Sequence, residues 1–280
     1  NYTKAAQELN LTQPAVSQHI RYLENFYQVQ LFYHAGKKVE LTRAGELLRN
    51  SALTFKHDEI YLMRMLQDTA KNTRNFAFGA TLSVAEFMLP PDLERLICAY
   101  PQSHIRMEVG NTRELLSKLD AGELDFAVVE GEFPREEYEF LLYRKEPYVP
   151  VASRKKAEQY RNAEFRELLS ERLILREPGS GTREILEREL RRRGMTTDDF
   201  SQITELGNIG AIQAMLRANL GISFFYQATL TDRETQLAPI ELKDFSLEHE
   251  VMFIFRKNSS FREDYEEIYA FLTNRENSQN

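Results

Sequence analysis

At 280 residues, the chain is long enough for two or three domains, each with a core of its own. Hydrophobic residues make up 42% and charged residues 28%, a balance that excludes an intrinsically disordered chain. No run approaches the roughly 18 uncharged apolar residues of a membrane-spanning helix, and the first residues lack the apolar core of a secretory signal. Since the single cysteine, Cys98, excludes an internal disulfide bond, we expect a cytoplasmic protein with no membrane partner.

The charge is distributed unevenly along the chain. The formal net charge is −7, which at first argues against binding to nucleic acid. Residues 1–75 carry 10 Lys and Arg against 7 Asp and Glu, a net charge of +3, whereas residues 76–280 carry 26 against 36, a net charge of −10. A mildly basic head on an acidic body is compatible with DNA binding if the positive charges lie on one face.

The first residues predict two short helices joined by a turn. Residues 3–9 have a small apolar stripe, Thr12 is expected to cap the second helix, and Pro14 lies in the first turn, where its missing N–H costs nothing. Val16, Ile20 and Leu23 recur at helical spacing and predict one buried face. The opposite face has amide and guanidinium groups that suit base edges and phosphates, and it consists of Pro14, Gln18, Arg21 and Asn25, flanked by Ser17 and Tyr22.

A basic hairpin is predicted after the second helix. An ordinary amphipathic surface helix would show the same periodicity as residues 13–25. The segment that follows therefore decides between that interpretation and a DNA-binding helix. Residues 29–32 and 39–41 predict two short strands around a basic turn at residues 35–38. Helix, turn, helix and basic hairpin in this order is the layout of a winged helix, in which Lys37 and Lys38 would reach the phosphate backbone.

Several motifs in residues 1–45 together resemble the LysR-type transcriptional regulators. They are YTKAAQEL at residues 2–9, TQPAVS at 12–17, IR at 20–21, LE at 23–24, LF at 31–32 and LTRAG at 41–45. The resemblance implies a winged helix-turn-helix domain over residues 1–45 that binds double-stranded DNA. The residues that it places against DNA are Gln13, Pro14, Ser17, Gln18 and Arg21.

Two features of the head depart from the family pattern. The family has a further helix before the position of Tyr2, so we expect this chain to begin inside the domain, without its leading helix. An acidic residue and an arginine usually follow Leu-Phe, where this chain has Tyr33 and His34. His34 is therefore expected to retain only a weaker phosphate contact.

Residues 42–71 predict one long helix, and we assign residues 46–73 to a linker between the two domains. Its apolar stripe is interrupted at Glu59 and consists of Leu48, Ala52, Phe55, Leu62 and Leu66. The stripe could pack on the chain's own body. The resemblance favours pairing with the same helix of a second subunit, in a homodimer or homotetramer that reads an imperfect palindrome, with RNA polymerase as a further candidate partner.

From residue 75 onward, strands alternate with helices. Strands are predicted at residues 76–79, 105–109 and 125–129 with helices at 84–100 and 112–121 between them, and a second set begins with a strand at 149–152. The sequence therefore predicts an α/β fold with an N-terminal winged helix-turn-helix. Its effector domain, residues 74–280, has two Rossmann-like lobes, residues 74–146 plus 241–280 and residues 147–240.

Polar residues follow the predicted strands, where ligands bind in open α/β sheets. Thr81 and Ser83 follow the first strand, and the segment EPGSGTR at residues 177–183 offers Ser180, Thr182 and Arg183 at a helix start. Asn208 begins a third helix. Simple capping of the next helix is the alternative interpretation of the Gly-Ser-Gly-Thr segment.

The resemblance supports a ligand site at the same residues. The effector domain of LysR-type regulators resembles periplasmic solute-binding proteins, which hold the ligand between two lobes, and Thr81, Ser83, Ser180, Thr182 and Asn208 match positions used there. Val129 and Glu130 lie at the rim. Because Glu130 and Glu177 would oppose a highly charged anion, a small anion, a zwitterion and a neutral polar metabolite all remain open.

No catalytic constellation is visible in the sequence. The five histidines lie in unrelated segments without metal-ligand spacing, so we expect no metal, no cofactor and no enzyme activity. Cys98 lies in an apolar helical segment and is expected to be a buried structural thiol. The alternatives are a solute-binding protein of the periplasmic type without a transcriptional role, and an α/β enzyme with an accessory DNA-binding domain.

Overall fold

The computed structural model describes residues 1–36, 38–230 and 234–274 of the chain. The chain divides into two compact units, residues 1–56 and 57–280, and the division falls inside the longest helix. None of the described helices is both long and apolar enough to cross a membrane. The elements of the first unit, in order, are α1 (Tyr2–Glu8), α2 (Gln13–Tyr27), β1 (Phe32–Ala35), β2 (Lys38–Leu41) and the first half of α3 (Arg43–Lys71).

Helix α2 begins and packs as its sequence predicts. The Thr12 hydroxyl accepts a hydrogen bond from the Ala15 N–H at 3.4 Å, and Pro14 lies in the first turn. Val16 is buried, with Ile20 and Leu23 half-buried on the same face. The helix-turn-helix therefore rests on a small apolar core within the first unit.

The predicted strand at residues 29–32 is wrong, because β1 starts only at Phe32. The Leu31 N–H donates to the Glu24 carboxylate at 2.8 Å, and the Leu31 carbonyl accepts from the Thr42 N–H at 3.0 Å. The backbone of Leu31 is thus satisfied by α2 and by the start of α3, not by a strand ladder. β1 and β2 form an antiparallel hairpin in which Ala35 pairs with Lys38, and Gly36 has φ +64°, a conformation that favours glycine.

The second half of α3 packs against its own body. His57, Asp58 and Tyr61 are buried, and the Asp58 carboxylate accepts hydrogen bonds from the Ser259 hydroxyl at 2.6 Å and the Ser260 N–H at 2.7 Å. On this side, the helix packs on the chain's own body, which was the alternative to pairing with a second subunit. Other apolar side chains of the helix remain exposed, namely Phe55, Leu62, Met63 and Leu66.

The first lobe of the second unit is built on a mixed sheet with strand order β4-β3-β5-β11-β6. β3 pairs in parallel with β4 and β5, and β11 runs antiparallel to β5. Stacked rings of Phe78, Phe126 and Phe253 fill the centre of its core. The elements of this lobe are β3 (Phe76–Ala80), α4 (Leu82–Phe87), α5 (Pro90–Ala99), β4 (Ile105–Val109), α6 (Thr112–Ala121), β5 (Phe126–Val129), the first part of β6 (Tyr138–Ser153), β11 (Glu248–Arg256) and α10 (Arg262–Thr273).

Two expectations for residues 84–100 are corrected. The segment forms two helices, because Pro90 and Pro91 lack the N–H groups needed to continue α4 and instead begin α5. Cys98 is exposed and not buried. The buried positions of α5 are Asp92 and Leu96, one turn apart, and Cys98 lies on another side of the helix.

Strand β6 joins the two lobes. Its first part pairs with β11, and its last residues pair with β9 and β10. The sequence pattern predicted only residues 149–152, because the charged residues 144–146 and the prolines at 147 and 150 mask the strand pattern. The second lobe contains α7 (Arg154–Gln159), β7 (Arg172–Leu175), α8 (Gly181–Arg192), β8 (Gln202–Glu205), α9 (Ile209–Arg217), β9 (Ser223–Tyr226) and β10 (Leu237–Pro239), and its β7 pairs in parallel with β8.

Replacement of Asp125 tests the attachment of α3 to the first lobe. The buried Asp125 carboxylate accepts from the Ala77 N–H at 2.9 Å and pairs with Arg64 of α3. Asp125→Ala leaves the Ala77 N–H without its acceptor and the partly exposed Arg64 without its partner, so we expect a loss of about 1–3 kcal/mol in the free energy of unfolding, measured by urea denaturation. Glu267→Ala breaks the exposed pair with Arg74 and should cost less than about 1 kcal/mol. Equal losses in the two variants would contradict this account.

Candidate nucleic-acid interface and ligand cleft

One face of α2 presents the polar groups expected to contact DNA. Gln13, Pro14, Gln18 and Arg21 are exposed, opposite the buried Val16. Ser17 is half-buried, and its hydroxyl accepts a hydrogen bond from Gln13 Nε2 at 3.1 Å. The helix thus presents a continuous row of amide and guanidinium donors on a rigid, capped scaffold.

The hairpin places its two candidate phosphate contacts on different faces. Lys38 pairs with Ala35, whereas His34 pairs with Val39, so the side chains of His34 and Lys38 point to opposite sides of the two-stranded sheet. Both residues are exposed. Lys37, the third candidate, lies outside the described residues.

In the second unit, Thr81 and Ser83 lie where β3 gives way to α4. Both side chains are buried, with exposed fractions of 4% and 1%. The Thr81 N–H donates to the carbonyl of Val128 in the neighbouring strand β5 at 3.2 Å, which fixes the turn. Neither hydroxyl has a hydrogen-bond partner among the residues that the structure describes. A buried hydroxyl of this kind requires a partner that the chain itself does not supply.

Glu130 directly follows β5, beside this turn. Its side chain is buried, and its Oε2 atom likewise has no hydrogen-bond partner within residues 1–36, 38–230 and 234–274. Gly181, at the start of α8 in the other lobe, approaches it closely: a Cβ at Gly181 would lie 3.0 Å from the Glu130 side chain. Glu130 is therefore enclosed between the two lobes. We call the region where the two lobes meet the cleft, and its buried polar residues are Thr81, Ser83, Glu130, Ser180, Thr182 and Thr229.

Burial governs the acidity of Glu130. Removal from water raises the pKa of its carboxyl to about 8, although Arg176 and a hydrogen bond from Tyr226 oppose the shift. Arg176 is itself engaged, since its guanidinium donates two hydrogen bonds of 2.7 Å to the Glu177 carboxylate. Although partial burial opposes it, this interaction holds the pKa of Glu177 below its usual value. Glu177 therefore does not add a free negative charge to the cleft.

The second lobe contributes Ser180 and Thr182 to the cleft. Both are buried, and their hydroxyls lie 2.9 Å apart in a mutual hydrogen bond. Tyr148 of β6 donates its hydroxyl proton to the Thr182 carbonyl at 2.7 Å and so fixes the first turn of α8. The structure thus brings the predicted hydroxyls of both lobes to the region of Glu130.

Two predicted ligand residues have their side chains engaged elsewhere. The Arg183 guanidinium donates to the carboxylates of Glu187 and Glu205, each at 2.7 Å, and also to the carbonyl of Arg176 at 3.1 Å. Asn208 is exposed, and its side-chain oxygen caps α9 by accepting the Ala211 N–H at 2.9 Å. Their assignment as ligand contacts stays a prediction without support from this geometry.

Sequence reasoning missed four residues of this region. Arg176, Tyr226 and Tyr148 surround Glu130, and Thr229 is a buried threonine whose hydroxyl has no hydrogen-bond partner in the described parts of the chain. Thr229 ends a 3₁₀ helix, Gln227–Thr229, that follows β9 and packs against α4. Thr229 lies beyond the end of β9 as Thr81 lies beyond the end of β3, so the same strand-end position indicates it as a candidate ligand residue.

An open groove of about 1180 Å³ reaches Glu130 from the surface. An ion pair between Arg188 of α8 and Glu132 of the first lobe, 2.9 Å long, lies along it. His249 also lines the groove, where burial and the nearby Arg188 lower its pKa to about 4. Within the described ranges, no three His, Cys, Asp or Glu side chains are grouped so that they could hold a metal ion.

Comparisons with known proteins match both units. A family model described as the LysR substrate binding domain matches residues 70–276, and one described as a bacterial regulatory helix-turn-helix protein of the lysR family matches residues 1–46. The HTH-type transcriptional regulator CysL of Bacillus subtilis is 27% identical, over a match that covers 98% of this chain and 91% of CysL.

Two solved structures share the fold. An OxyR mutant of Corynebacterium glutamicum, bound to H2O2, has a TM-score of 0.64 and 22% identity, covering 98% of this chain and 87% of its own. The CcmR regulatory domain of Synechocystis, in complex with 2-PG, has a TM-score of 0.62 and 22% identity, covering 72% of this chain and 99% of its own.

The stability of a Glu130→Gln variant should depend on pH differently from that of the wild type. The Glu130 carboxyl has a pKa near 8 in the folded state and 4.5 in the unfolded state. As pH rises from 4.5 to 8, the unfolded state loses this proton while the folded state still holds it, so the free energy of unfolding falls progressively. Glutamine has no such proton. The difference in Tm, variant minus wild type, should therefore be larger at pH 8 than at pH 5.

A neighbouring glutamate provides the matched control for this experiment. Glu132→Gln alters a side chain that is 84% exposed, and its Tm difference from the wild type should be nearly the same at both pH values. A Tm difference for Glu130→Gln that does not change with pH would show that the Glu130 carboxyl is ionised at neutral pH.

Proposed function

The chain belongs to the LysR family of transcriptional regulators, and we propose which of its residues bind DNA and which bind its small-molecule effector. The observation that carries the proposal is the set of buried polar atoms in the cleft. Four of them, on Thr81, Ser83, Glu130 and Thr229, have no hydrogen-bond partner among the described residues. A polar effector would supply the missing partners, and each hydrogen bond formed in place of an unsatisfied buried group is worth about 1–3 kcal/mol.

The proposed domain organisation follows the sequence analysis. Residues 1–45 form the DNA-binding domain, residues 46–73 the linker, and residues 74–280 the effector domain, with lobes at residues 74–146 plus 241–280 and at 147–240. The regulator acts in the cytoplasm, and it has no catalytic activity. The naming of relatives such as CysL as transcriptional regulators supports this interpretation over a solute-binding protein.

DNA recognition is assigned to α2 and the hairpin. Gln13, Pro14, Ser17, Gln18 and Arg21 face the major groove, where amide and guanidinium groups can read base edges and phosphates. His34, Lys37 and Lys38 are proposed as contacts to the phosphate backbone. Since His34 and Lys38 lie on opposite faces of the hairpin, only one of these two faces can be the main contact.

The regulator is proposed to act as a homodimer or homotetramer on an imperfect palindrome, with RNA polymerase as a further partner. The exposed apolar residues of α3 support this assignment, because a side that presents Leu62, Met63 and Leu66 gains free energy when a second helix covers it. The adjacent side, with Asp58 and Tyr61, is covered by the chain's own body.

The effector is proposed to be a small polar or anionic metabolite. Thr81, Ser83, Glu130, Ser180 and Thr182 offer hydrogen bonds to it, and the CcmR regulatory domain, which shares this fold, was solved in complex with 2-PG. Arg183 and Asn208 remain candidate contacts that would have to exchange their present partners. Closure of the lobes on the effector changes how the protein engages its promoter.

Strand β5 provides a direct route from the cleft to the linker. Glu130 follows its last residue, and Asp125 precedes its first residue and pairs with Arg64 of α3. The two ends of this short strand therefore contact the effector site and the linker helix. A shift of Glu130 on effector binding would move Asp125, and with it the contact between Asp125 and Arg64 that holds α3.

Replacement of Arg21 tests the DNA-binding face. On a site selected from random double-stranded DNA by the wild-type protein, Arg21→Ala should weaken binding by about 1–3 kcal/mol, because one base or phosphate contact is lost. The slope of log affinity against log salt should also become shallower by about 1 if the contact is to phosphate. Arg166→Ala removes the same charge from an exposed position in the second unit and should change neither quantity. Unchanged binding by Arg21→Ala would refute the docking.

Replacement of the cleft hydroxyls tests the effector site. A library of common metabolites is first screened for compounds that change the DNA affinity of the wild-type chain. Thr81→Val and Thr182→Val keep the side-chain volume but remove a buried hydroxyl, so each should lose the response to the active compound while retaining DNA affinity without it. Thr69→Val, at an exposed position of α3, should respond normally. A normal response by both cleft variants would place the effector site elsewhere.

A further inference from the structure

We propose that Glu130 acts as a neutral carboxylic acid that donates a hydrogen bond to an oxyanion group of the effector, so that binding of this anion is coupled to protonation of Glu130. The inference rests on the proposed function of the cleft as the effector site. It names Glu130 as a residue that selects the charge of the ligand, in addition to the hydroxyls that hold it.

Several buried polar groups lie on elements that meet between the two lobes. Thr81 and Ser83 come from the first turn of α4, and Thr229 comes from the segment that packs against α4. Their three hydroxyls, and the Glu130 Oε2 atom, are buried and have no partner in the residues that the structure describes. Protonated Glu130 has one O–H to donate, and an oxyanion accepts several hydrogen bonds at once. The same set offers an ionised effector four O–H donors and no free positive charge.

The charges around Glu130 favour its neutral form. Arg176 is the cation that opposes the rise in the pKa of Glu130, but its guanidinium is bonded through two nitrogen atoms to Glu177. Gly181 packs against the Glu130 side chain and excludes solvent on that side. An ionised Glu130 would therefore be buried without a counter-charge of its own, which is costly, whereas the neutral acid needs only an acceptor for its proton. Burial accordingly raises the pKa of Glu130 to about 8.

None of the shifted pKa values of the other groups that face Glu130 falls in the neutral range. The pKa of His249 is lowered to about 4 and that of Glu177 is lowered as well, while burial raises those of Tyr148 and Tyr226 well above 10. Arginine stays protonated throughout. A change in ligand affinity between about pH 6 and about pH 9 would thus be assigned to Glu130. The charged and titratable groups facing it from the packed elements are Arg176, Glu177, Tyr148, Tyr226, His249, Arg188 and Glu132.

An ionised Glu130 that binds a cationic effector predicts the opposite behaviour. In that case a positively charged ligand would bind more tightly as pH rises, because the carboxylate would be its partner. If a neutral Glu130 donates to an anion, the anion binds most tightly at low pH and loses affinity as pH rises through the pKa. The sign of the pH dependence therefore separates the two ligand classes.

Calorimetric titration of the full chain tests the proposal. The probes are sulfate and glycolate, whose negative charges do not change between about pH 6 and about pH 9.5, and choline, whose positive charge is equally constant. We expect at least one anion to bind, with a Kd that rises toward tenfold per pH unit above the pKa of Glu130. Glu130→Gln, which keeps a hydrogen-bond donor but cannot ionise, should bind that anion with a Kd that no longer depends on pH.

The outcomes separate the inference from the proposed function. If Thr81→Val abolishes anion binding but the pH dependence persists in Glu130→Gln, the effector site stands and the role of Glu130 is overturned. If an anion binds and Thr81→Val does not weaken it, the proposed location of the site fails. Binding of choline that strengthens with pH, or no binding of either anion, overturns the assignment of an oxyanion effector.

Discussion

The second unit buries several polar groups that have no hydrogen-bond partner among the described residues, and its proposed function depends on this feature. The cleft encloses the hydroxyls of Thr81, Ser83 and Thr229 and one oxygen of Glu130, all lacking hydrogen bonds to the described chain. Each such group costs about 1–3 kcal/mol. A fold tolerates several of them in one place when a ligand completes them, and the two-lobed architecture provides that place, with α4 and β5 on one side and α8 on the other.

The same architecture connects the cleft to the linker helix. α3 runs without interruption from the first unit into the second, where Asp58, Tyr61 and Arg64 fasten it to the first lobe. Asp125 forms an ion pair with Arg64 at one end of β5, and Glu130 lies at the other end. In this family, the response to an effector must pass from the ligand-binding domain to the DNA-binding domain. Here Glu130, which is proposed to contact the effector, and Asp125, which holds α3 through Arg64, flank the same strand, β5.

Much of this fold could be predicted from local sequence signals. Thr12 and Pro14 mark the start of α2, and the capping box of Asn111 and Glu114 begins α6, because these signals act within a few residues. Only residues 149–152 of strand β6 could be predicted, since the pairing of its first part with β11 is a long-range contact that overrides an unfavourable local composition. The exposure of Cys98 was missed for a related reason: apolar neighbours in sequence do not determine which side of a helix is covered.

The candidate site was predicted in outline and altered in detail. Thr81, Ser83, Ser180 and Thr182 follow strand ends, so their convergence is a consequence of topology. Arg183 lies in the same motif but is bonded to Glu187 and Glu205, acidic partners that the sequence does not reveal. Glu130 was expected to repel anions as a charged rim residue. Its burial reverses that expectation, because a carboxyl without solvent keeps its proton and becomes a donor.

The protonation state of Glu130 is thus the central claim, and carboxyl carbon NMR measures it directly. The resonance can be assigned by its absence from the Glu130→Gln variant and followed through a pH titration of the full chain. This account predicts a titration midpoint at about 8, with most of the carboxyl protonated at pH 7. A midpoint at or below the ordinary value of 4.5 would contradict it.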